Sequence, residues 1–488
     1  MPTSTLVTTS SEELTEIAAA AGAAAPVLAA ASPAQRTQWL EAIAGAMDAA
    51  APELVAIAHA ETHLDEARLA GEVARTTAQL RLFATMVRDG AYLEASIDHA
   101  DPAAAPPRPE LRRLLVPLGP VAVFAASNFP FAFSVLGGDT ASALAVGCPV
   151  IVKAHQGHPE TSLRTATVAR EALRSAGAPA GTLAVVVGRD TGIALIQHPV
   201  ITAAGFTGSV AGGRALFDLA AARPDPIPFY GELGSINPVV ITSRAVAARG
   251  EELARGLASS FMLGNGQFCT KPGVVFVPED STFGELLAGA LPEPAPARLL
   301  TGSIADAFAV SARDAGMDPD IAVLAGDPDQ ASGEATRLVL ATTAAAVARR
   351  PDALLAERFG PATVLVSYRD QTELREALEA LEGSLTATLH AEAEDELGDL
   401  VALLSARAGR LLFAGWPTGV SVTWSQHHGG PWPATTSIHT SVGVSAARRF
   451  QRPLVFQDAP ERLLPEALSE SNPLGIPRRV DGVLQLQG

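Results

Sequence analysis

Apolar positions along the chain change period twice, and the changes divide it. From Glu12 to about Gly90, alanines and larger apolar residues recur at helical spacing, predicting long helices. Ser32-Pro33-Ala34-Gln35 reads as a helix start, with Ser at the N-cap, Pro in the first turn and Gln three residues on. Asp101 to Pro109 is rich in Pro and Ala and reads as a linker, and Leu111 to Pro117 as a strand on an exposed arm. From Val121 the pattern becomes short apolar runs alternating with helical stretches. Val121–Ala125, Pro149–Lys153, Leu183–Val187 and Ala203–Thr207 are the predicted strands. Helices are expected from Asp139 as cap to Val146, from Pro159 to near Gly177, behind Asp190 as cap, and from Ser209. Such alternation predicts a parallel, doubly wound α/β sheet, which binds ligands beyond the carboxyl ends of its strands. Asn128, Lys153, Arg189, Gly208 and Ser209 fall there. A second α/β pattern follows Pro238, with strands at Val239–Ile241, Gly273–Val277, Ala322–Leu324, Thr363–Val366 and Leu411–Phe413. Gln426 to Trp432 has neither period and reads as a structured loop, and the last forty or so residues as an arm.

Composition narrows the class. The chain has 488 residues, 48% hydrophobic and 18% charged, as expected of a globular protein with a large core. No uncharged apolar run reaches the roughly 18 residues of a membrane span. The first nine residues lack the basic and apolar parts of a leader. A net charge of -17 argues against nucleic acid or an anionic membrane as partner. The two cysteines, Cys148 and Cys269, give no disulfide framework, so a cytoplasmic location is expected. The chain keeps only two lysines, Lys153 and Lys271, and four asparagines, Asn128, Asn237, Asn265 and Asn472. In a sequence so biased towards Arg and Ala, these mark places where the substitute fails.

The chemistry converges on Gly264-Asn265-Gly266-Gln267-Phe268-Cys269, directly before an apolar run. Glycines free the backbone to reach positive φ, and a thiol on such a loop is either a small buried hydrophobe or a nucleophile. A nucleophile needs a base and an oxyanion donor. Glu232, at the end of an apolar-flanked segment and followed by Leu233-Gly234, is the candidate base, with burial expected to raise its pKa; the alternative is a surface glutamate. Asn128 offers an uncharged donor to a developing alkoxide, or serves only the turn before Phe129-Pro130. No histidine close to Cys269 in sequence suggests a Cys-His pair, though sequence distance leaves a remote partner open; His59 and His63 read as a solvated helix face, so no metal site is expected. A G-x-G-x-x-G fingerprint is missing after the first strand; the nearest cluster runs from Gly205 to Gly212.

Taken in order, Ser127-Asn128-Phe129-Pro130, Val152-Lys153, Gly205 to Ser209, Glu232-Leu233-Gly234, Gly266 to Cys269 and Glu357-Arg358-Phe359-Gly360-Pro361 resemble the aldehyde dehydrogenase superfamily over nearly the whole chain. Gly137 to Ala145, Pro228 to Gly234, Phe268 to Gly273 and His428 to Thr436 resemble its NADP-preferring branch of α-ketoglutaric semialdehyde dehydrogenases. The resemblance implies a Rossmann-type cofactor domain (1–98 and 118–234), an α/β catalytic domain (235–435) and an oligomerisation arm with C-terminal segment (99–117 and 436–488). It implies Cys269 as nucleophile, Asn128 as oxyanion donor and Glu232 as base. It implies cofactor contacts from Lys153, His155, Gln156, Arg189, Gly208, Ser209, Glu357 and Phe359. Gln156 replaces a glutamate common in NAD-preferring members, which favours NADP, with NAD as the alternative.

The implied reaction is oxidation of an aldehyde to its acid through a cysteine thiohemiacetal and thioester, with α-ketoglutaric semialdehyde as the first substrate. A broad or fatty aldehyde dehydrogenase, with an apolar tunnel lined by Phe129 and Phe133, is the alternative; a non-catalytic NADP-binding protein of the same fold is a further one. A homodimer or homotetramer is expected. Lys271 is assigned either to the substrate's carboxylate or to its own loop.

Overall fold

The computed structural model describes residues 8–330, 333–417 and 419–486. The reading of a missing leader thus concerns, at positions 1–7, residues outside those described. Three helices open the chain: α1 (Ser11–Ala30), α2 (Pro33–Thr62) and α3 (Glu66–Asp89). Ser10 with Glu13, and Ser32 with Gln35, form reciprocal capping boxes, so the helix start read at Ser32 is met. By length and hydropathy α1 could cross a membrane, but Leu14, Ala18 and Ala21 are packed among Ile151, Val186 and Leu195.

Strands β1 (Ser96–Asp98) and β2 (Leu111–Pro117) precede the first α/β unit. That unit runs β3 (Val121–Phe124), α4 (Gly138–Val146), β4 (Val150–Lys153), α5 (Pro159–Ser175), β5 (Leu183–Val186), α6 (Arg189–Gln197), β6 (Ala203–Thr207), α7 (Val210–Ala221) and β7 (Phe229–Glu232). Its sheet is parallel, in the order β5-β4-β3-β6-β7. The chain builds outward from β3 in one direction and resumes on its other side at β6, so the crevice lies beyond the carboxyl ends of β3 and β6. Two expected caps are corrected. Gly137 and Gly188 cap α4 and α6, while Asp139 and Asp190 lie within the first turns. Asp139 instead pairs with the buried Arg449 at 2.7 Å.

The second unit contributes β8 (Val239–Ile241), β9 (Val274–Pro278), β10 (Ala297–Arg298), β11 (Ala322–Ala325), β12 (Glu334–Ala335), β13 (Leu338–Thr343), β14 (Ala362–Tyr368), β15 (Ser384–His390) and β16 (Ala408–Phe413). Seven of these form one sheet, β11-β13-β14-β9-β8-β15-β16, parallel except for the edge strand β11. β9 and β8 are central, with every residue of both buried. The loop entering β9, which carries Cys269, is therefore anchored on the stiffest part of the sheet.

The C-terminal segment is more ordered than its sequence implies. β17 (Gln451–Gln457), β18 (Arg478–Val480) and β19 (Val483–Gln485) join the arm in a five-stranded sheet, β17-β2-β1-β18-β19. The three-residue strands β18 and β19 are too short to show a period, which is why those two escape a sequence reading.

Candidate active site

The strand ends converge. Asn128 follows β3, Lys153 ends β4, Gly208 and Ser209 follow β6, and Glu232 ends β7. The loop before β9 faces them. There Gly264, Asn265 and Gly266 are three successive residues with φ of 57°, 57° and 70°, the left-handed turn for which glycine and asparagine are suited. A side chain at Gly266 would strike the Gly360 carbonyl. This turn brings Cys269 to the floor of a cavity of about 630 Å³. Its walls include all eleven residues read as site residues: Cys269, Glu232, Asn128, Lys153, His155, Gln156, Arg189, Gly208, Ser209, Glu357 and Phe359.

The cavity has two chemically different ends. At one end α7 presents its N-terminus, capped by Ser209 Oγ on the Gly212 amide at 3.2 Å. Free amides and the helix dipole there suit a phosphate. Lys153 and Arg189 line the same cavity. No side-chain hydrogen bond or ion pair is made by the Lys153 ammonium among the described residues, and burial lowers its pKa. His155 is held neutral, its pKa pushed down by burial to about 3, and its Nδ1 accepts from the Gly157 amide at 3.0 Å. Among the described residues lining the cavity the carboxylates are Glu232 and Glu357; both act electrostatically on Cys269, and the Glu357 carboxyl packs against Gly234 beside Val210, the first residue of α7. The walls thus fit a dinucleotide with its anionic part at α7.

The other end holds a proton network that the sequence did not reveal. His428 Nε2 lies 3.5 Å from Cys269 Sγ and 2.8 Å from Glu232 Oε1. The second carboxylate oxygen accepts from Ser441 Oγ. An ionised carboxylate can only accept, so the fitting tautomer places the proton on Nε2. His428 is fully buried, in the loop from Gln426 to Trp432 that reads as structured but carries no chemistry by its period. The Cys-His contact that sequence distance left open is thereby supplied: the partners are 159 positions apart, a separation that sequence spacing cannot bridge. The residue signal was the unusual His427-His428-Gly429-Gly430 run itself.

The expected rise in the Glu232 pKa is also corrected. Burial does push it up, but the charge and hydrogen bond of His428, the Ser441 hydroxyl and Arg449 outweigh burial, and the carboxyl titrates below its ordinary value. The Cys269 thiol moves the other way, well above the usual range, through desolvation and the negative charge of Glu232; Arg75 opposes the shift.

Asn128 Nδ2 donates to the Gln267 carbonyl at 3.0 Å, leaving its second N–H for an oxyanion. Arg68 on α3 grips the Asn128 carbonyl at 2.8 Å. Lys271 is buried and belongs to the loop framework. Its Nζ donates to the carbonyls of Arg358 at 2.6 Å and Ala362 at 2.9 Å, with its pKa lowered by burial to about 8. It ties the Cys269 loop to the segment bearing Glu357 and Phe359. Asn237, quoted in the sequence without a role, is the hub of the loop. Its Nδ2 donates to the carbonyls of Cys269 at 2.8 Å and Lys271 at 2.9 Å.

Comparison with known proteins identifies the family. The family model described as "Aldehyde dehydrogenase family" matches residues 2–293. The chain is 49% identical over 459 residues to alpha-ketoglutaric semialdehyde dehydrogenase 2 of Azospirillum brasilense, covering 92% of this chain and 87% of that one. It is 41% identical over 463 residues to the alpha-ketoglutaric semialdehyde dehydrogenase of Acinetobacter baylyi, with the same coverages of 92% and 87%. Among solved structures, an NADP-dependent enzyme from E. coli superposes with a TM-score of 0.76 at 20% identity, covering 92% of this chain and 90% of that one. Aldehyde dehydrogenase 21 of Physcomitrella patens, solved with the product succinate, does so at 0.75 and 19% identity, covering 92% and 91%. By its sequence and its architecture, this chain belongs to the aldehyde dehydrogenase family.

Proposed function

We propose that this enzyme oxidises α-ketoglutaric semialdehyde to 2-oxoglutarate with NADP as the preferred cofactor. One observation carries the reading: a thiol, a carboxylate and an amide donor close one end of a dinucleotide-sized cavity, in a chain whose 49% and 41% identical relatives carry that substrate in their names.

Cys269 is the nucleophile. It attacks as the thiolate once its proton has passed to water, and the Nε2–H of His428, held beside Glu232, lies within reach of the sulfur. The thiolate attacks the aldehyde carbon, and the resulting oxyanion is held by the free N–H of Asn128 and the backbone N–H of Cys269. NADP, when bound, supplies the hydride acceptor, so that the thiohemiacetal becomes a thioester on Cys269. Glu232 then takes the proton of the attacking water, and hydrolysis frees the acid. Its own hydrogen bonds to His428 and Ser441 keep the carboxylate ionised and therefore able to accept.

The preference for NADP rests on Arg189 and Gln156, which line the cavity. A 2′-phosphate beside them would meet a guanidinium and a neutral amide. The test is kcat/KM over an aldehyde panel with both cofactors. The expected result is α-ketoglutaric semialdehyde first among aldehydes and NADP at least about tenfold above NAD, a difference near 1.4 kcal/mol. Long-chain aliphatic aldehydes at equal or better rates would reject the substrate.

The functional unit is proposed to be a homodimer or homotetramer joined through the arm. The sheet's two outer strands leave Val455, Val483 and Leu484 more than half exposed, a short apolar edge suited to pairing with a neighbour. Light scattering should give at least twice the 50.2 kDa chain mass, and a monomer would reject the assignment.

A further inference from the structure

Cys269 stands between two cavities. Opposite the dinucleotide side lies a second one of about 340 Å³. Phe129, Phe133 and Phe268 line it next to the sulfur, and the segment 419–422 closes the far side. Phe129 packs against Phe133 at 5.4 Å and Phe268 at 5.3 Å between ring centres, making an apolar collar. Such a collar on its own would suit an aliphatic aldehyde.

One charged residue breaks that character. Arg75, on α3, is the only charged side chain on the described walls of this cavity. Its Nε and Nη2 both donate to the Val420 carbonyl, at 3.2 and 3.1 Å, and its guanidinium lies 5.4 Å from the centre of the Phe133 ring. Its Nη1 is buried and has no hydrogen-bond partner. No carboxylate lies within ion-pair distance among the described residues. The nearest acid, Glu72, is one turn back on α3. One of its oxygens is taken by the amides of Phe131 at 2.8 Å and Ala132 at 2.9 Å. Its carboxyl is pushed up by burial to about 7, so at neutral pH its charge only partly offsets the guanidinium. A cation enclosed in this way, with an unused donor, is costly unless an anion arrives to share the site.

We propose that Arg75 reads the far carboxylate of the substrate, with Nη1 as the donor. The proposal rests on the anionic semialdehyde reading given above. The aldehyde carbon would sit at Cys269, the two methylenes would cross the aromatic collar, and the carboxylate would reach Arg75. An aliphatic tail would instead leave the guanidinium unpaired, which turns the apolar collar against fatty aldehydes.

The experiment compares wild type, Arg75→Met and Arg75→Lys with three five-carbon aldehydes: α-ketoglutaric semialdehyde, glutarate semialdehyde and pentanal. Arg75→Met is expected to lose about 100-fold in kcat/KM with both anions, and less than about tenfold with pentanal. Arg75→Lys should recover at least about tenfold of the anionic loss. A second readout needs no turnover: glutarate should slow alkylation of Cys269 by iodoacetamide in wild type and Arg75→Lys but not in Arg75→Met. Equal losses with all three aldehydes, or none with the anions, would overturn the assignment and leave Arg75 as a prop for Val420. A wild type that favours pentanal would overturn the anionic-substrate reading itself. A wild type favouring glutarate semialdehyde would support Arg75 while rejecting the 2-oxo acid.

Discussion

The Glu232→Gln enzyme is expected to release about one equivalent of reduced cofactor per active site and then stall. Formation of the thioester needs a thiolate and an oxyanion donor, and the amide leaves Cys269 and Asn128 in place. Hydrolysis needs a group that accepts water's proton, and an amide cannot. Loss of a general base costs about 10²–10⁴ in rate, so steady-state kcat should fall by that amount while the burst survives. A second consequence has the opposite sign. The charge of Glu232 is, after desolvation, the largest cause holding the Cys269 thiol above its usual range. Removing it lowers the thiol's pKa, so at any fixed pH near 7 more thiolate is present. Iodoacetamide should then alkylate Cys269 faster in the variant than in wild type. A Cys269→Ala enzyme should show neither burst nor turnover while still binding NADP. Steady-state rates within tenfold of wild type, or slower alkylation in Glu232→Gln, would refute the assignment of Glu232.

Asn237→Ala should unfold at markedly lower denaturant and lose most activity. Asn237 is 1% exposed, with φ at 49°. Its Nδ2 holds the carbonyls of Cys269 and Lys271, and its Oδ1 accepts from Ser235 Oγ at 2.7 Å and from Thr386 N and Oγ1, both at 3.1 Å. Alanine leaves these groups unpaired in a dry site at about 1–3 kcal/mol each where water cannot enter. It also adds about 1 kcal/mol for a left-handed backbone. Partial relaxation leaves a loss on the order of 5 kcal/mol, among the larger effects of single substitutions. Asn237→Gly keeps the backbone conformation and should retain most of the loss. A shift of the unfolding midpoint worth under about 2 kcal/mol would show that the hub is not needed.

The rare residues connect sequence to structure. Asn237, Asn265 and Asn472 all have positive φ, which asparagine tolerates better than most side chains. Asn128 is the oxyanion candidate, and Lys271 spans two carbonyls with a compact ammonium that a planar guanidinium would not match. Their retention in an Arg- and Ala-rich chain could be read before any coordinates, although their tasks could not. Ser235 donates to Asn237 and accepts from the Leu385 amide.

The sequence by itself determined the elements and the strand ends where ligands meet them. Capping boxes, buried apolar runs and glycine turns act over a few residues, so they can be read in one dimension. It also marked the thiol, the carboxylate and the amide through their motifs. The tertiary structure decided who touches whom. His428 reaches Cys269 across 159 positions, and Ser441 reaches Glu232 across 209. Those contacts, and with them the lowered pKa of Glu232, follow from how the loops are carried over the two sheets. Arg75 is one more helical arginine in the sequence, and only the docking of α3 beside the Cys269 loop places it on the wall of the second cavity. Electrostatic pairing depends on distance in space, and no local pattern encodes that distance.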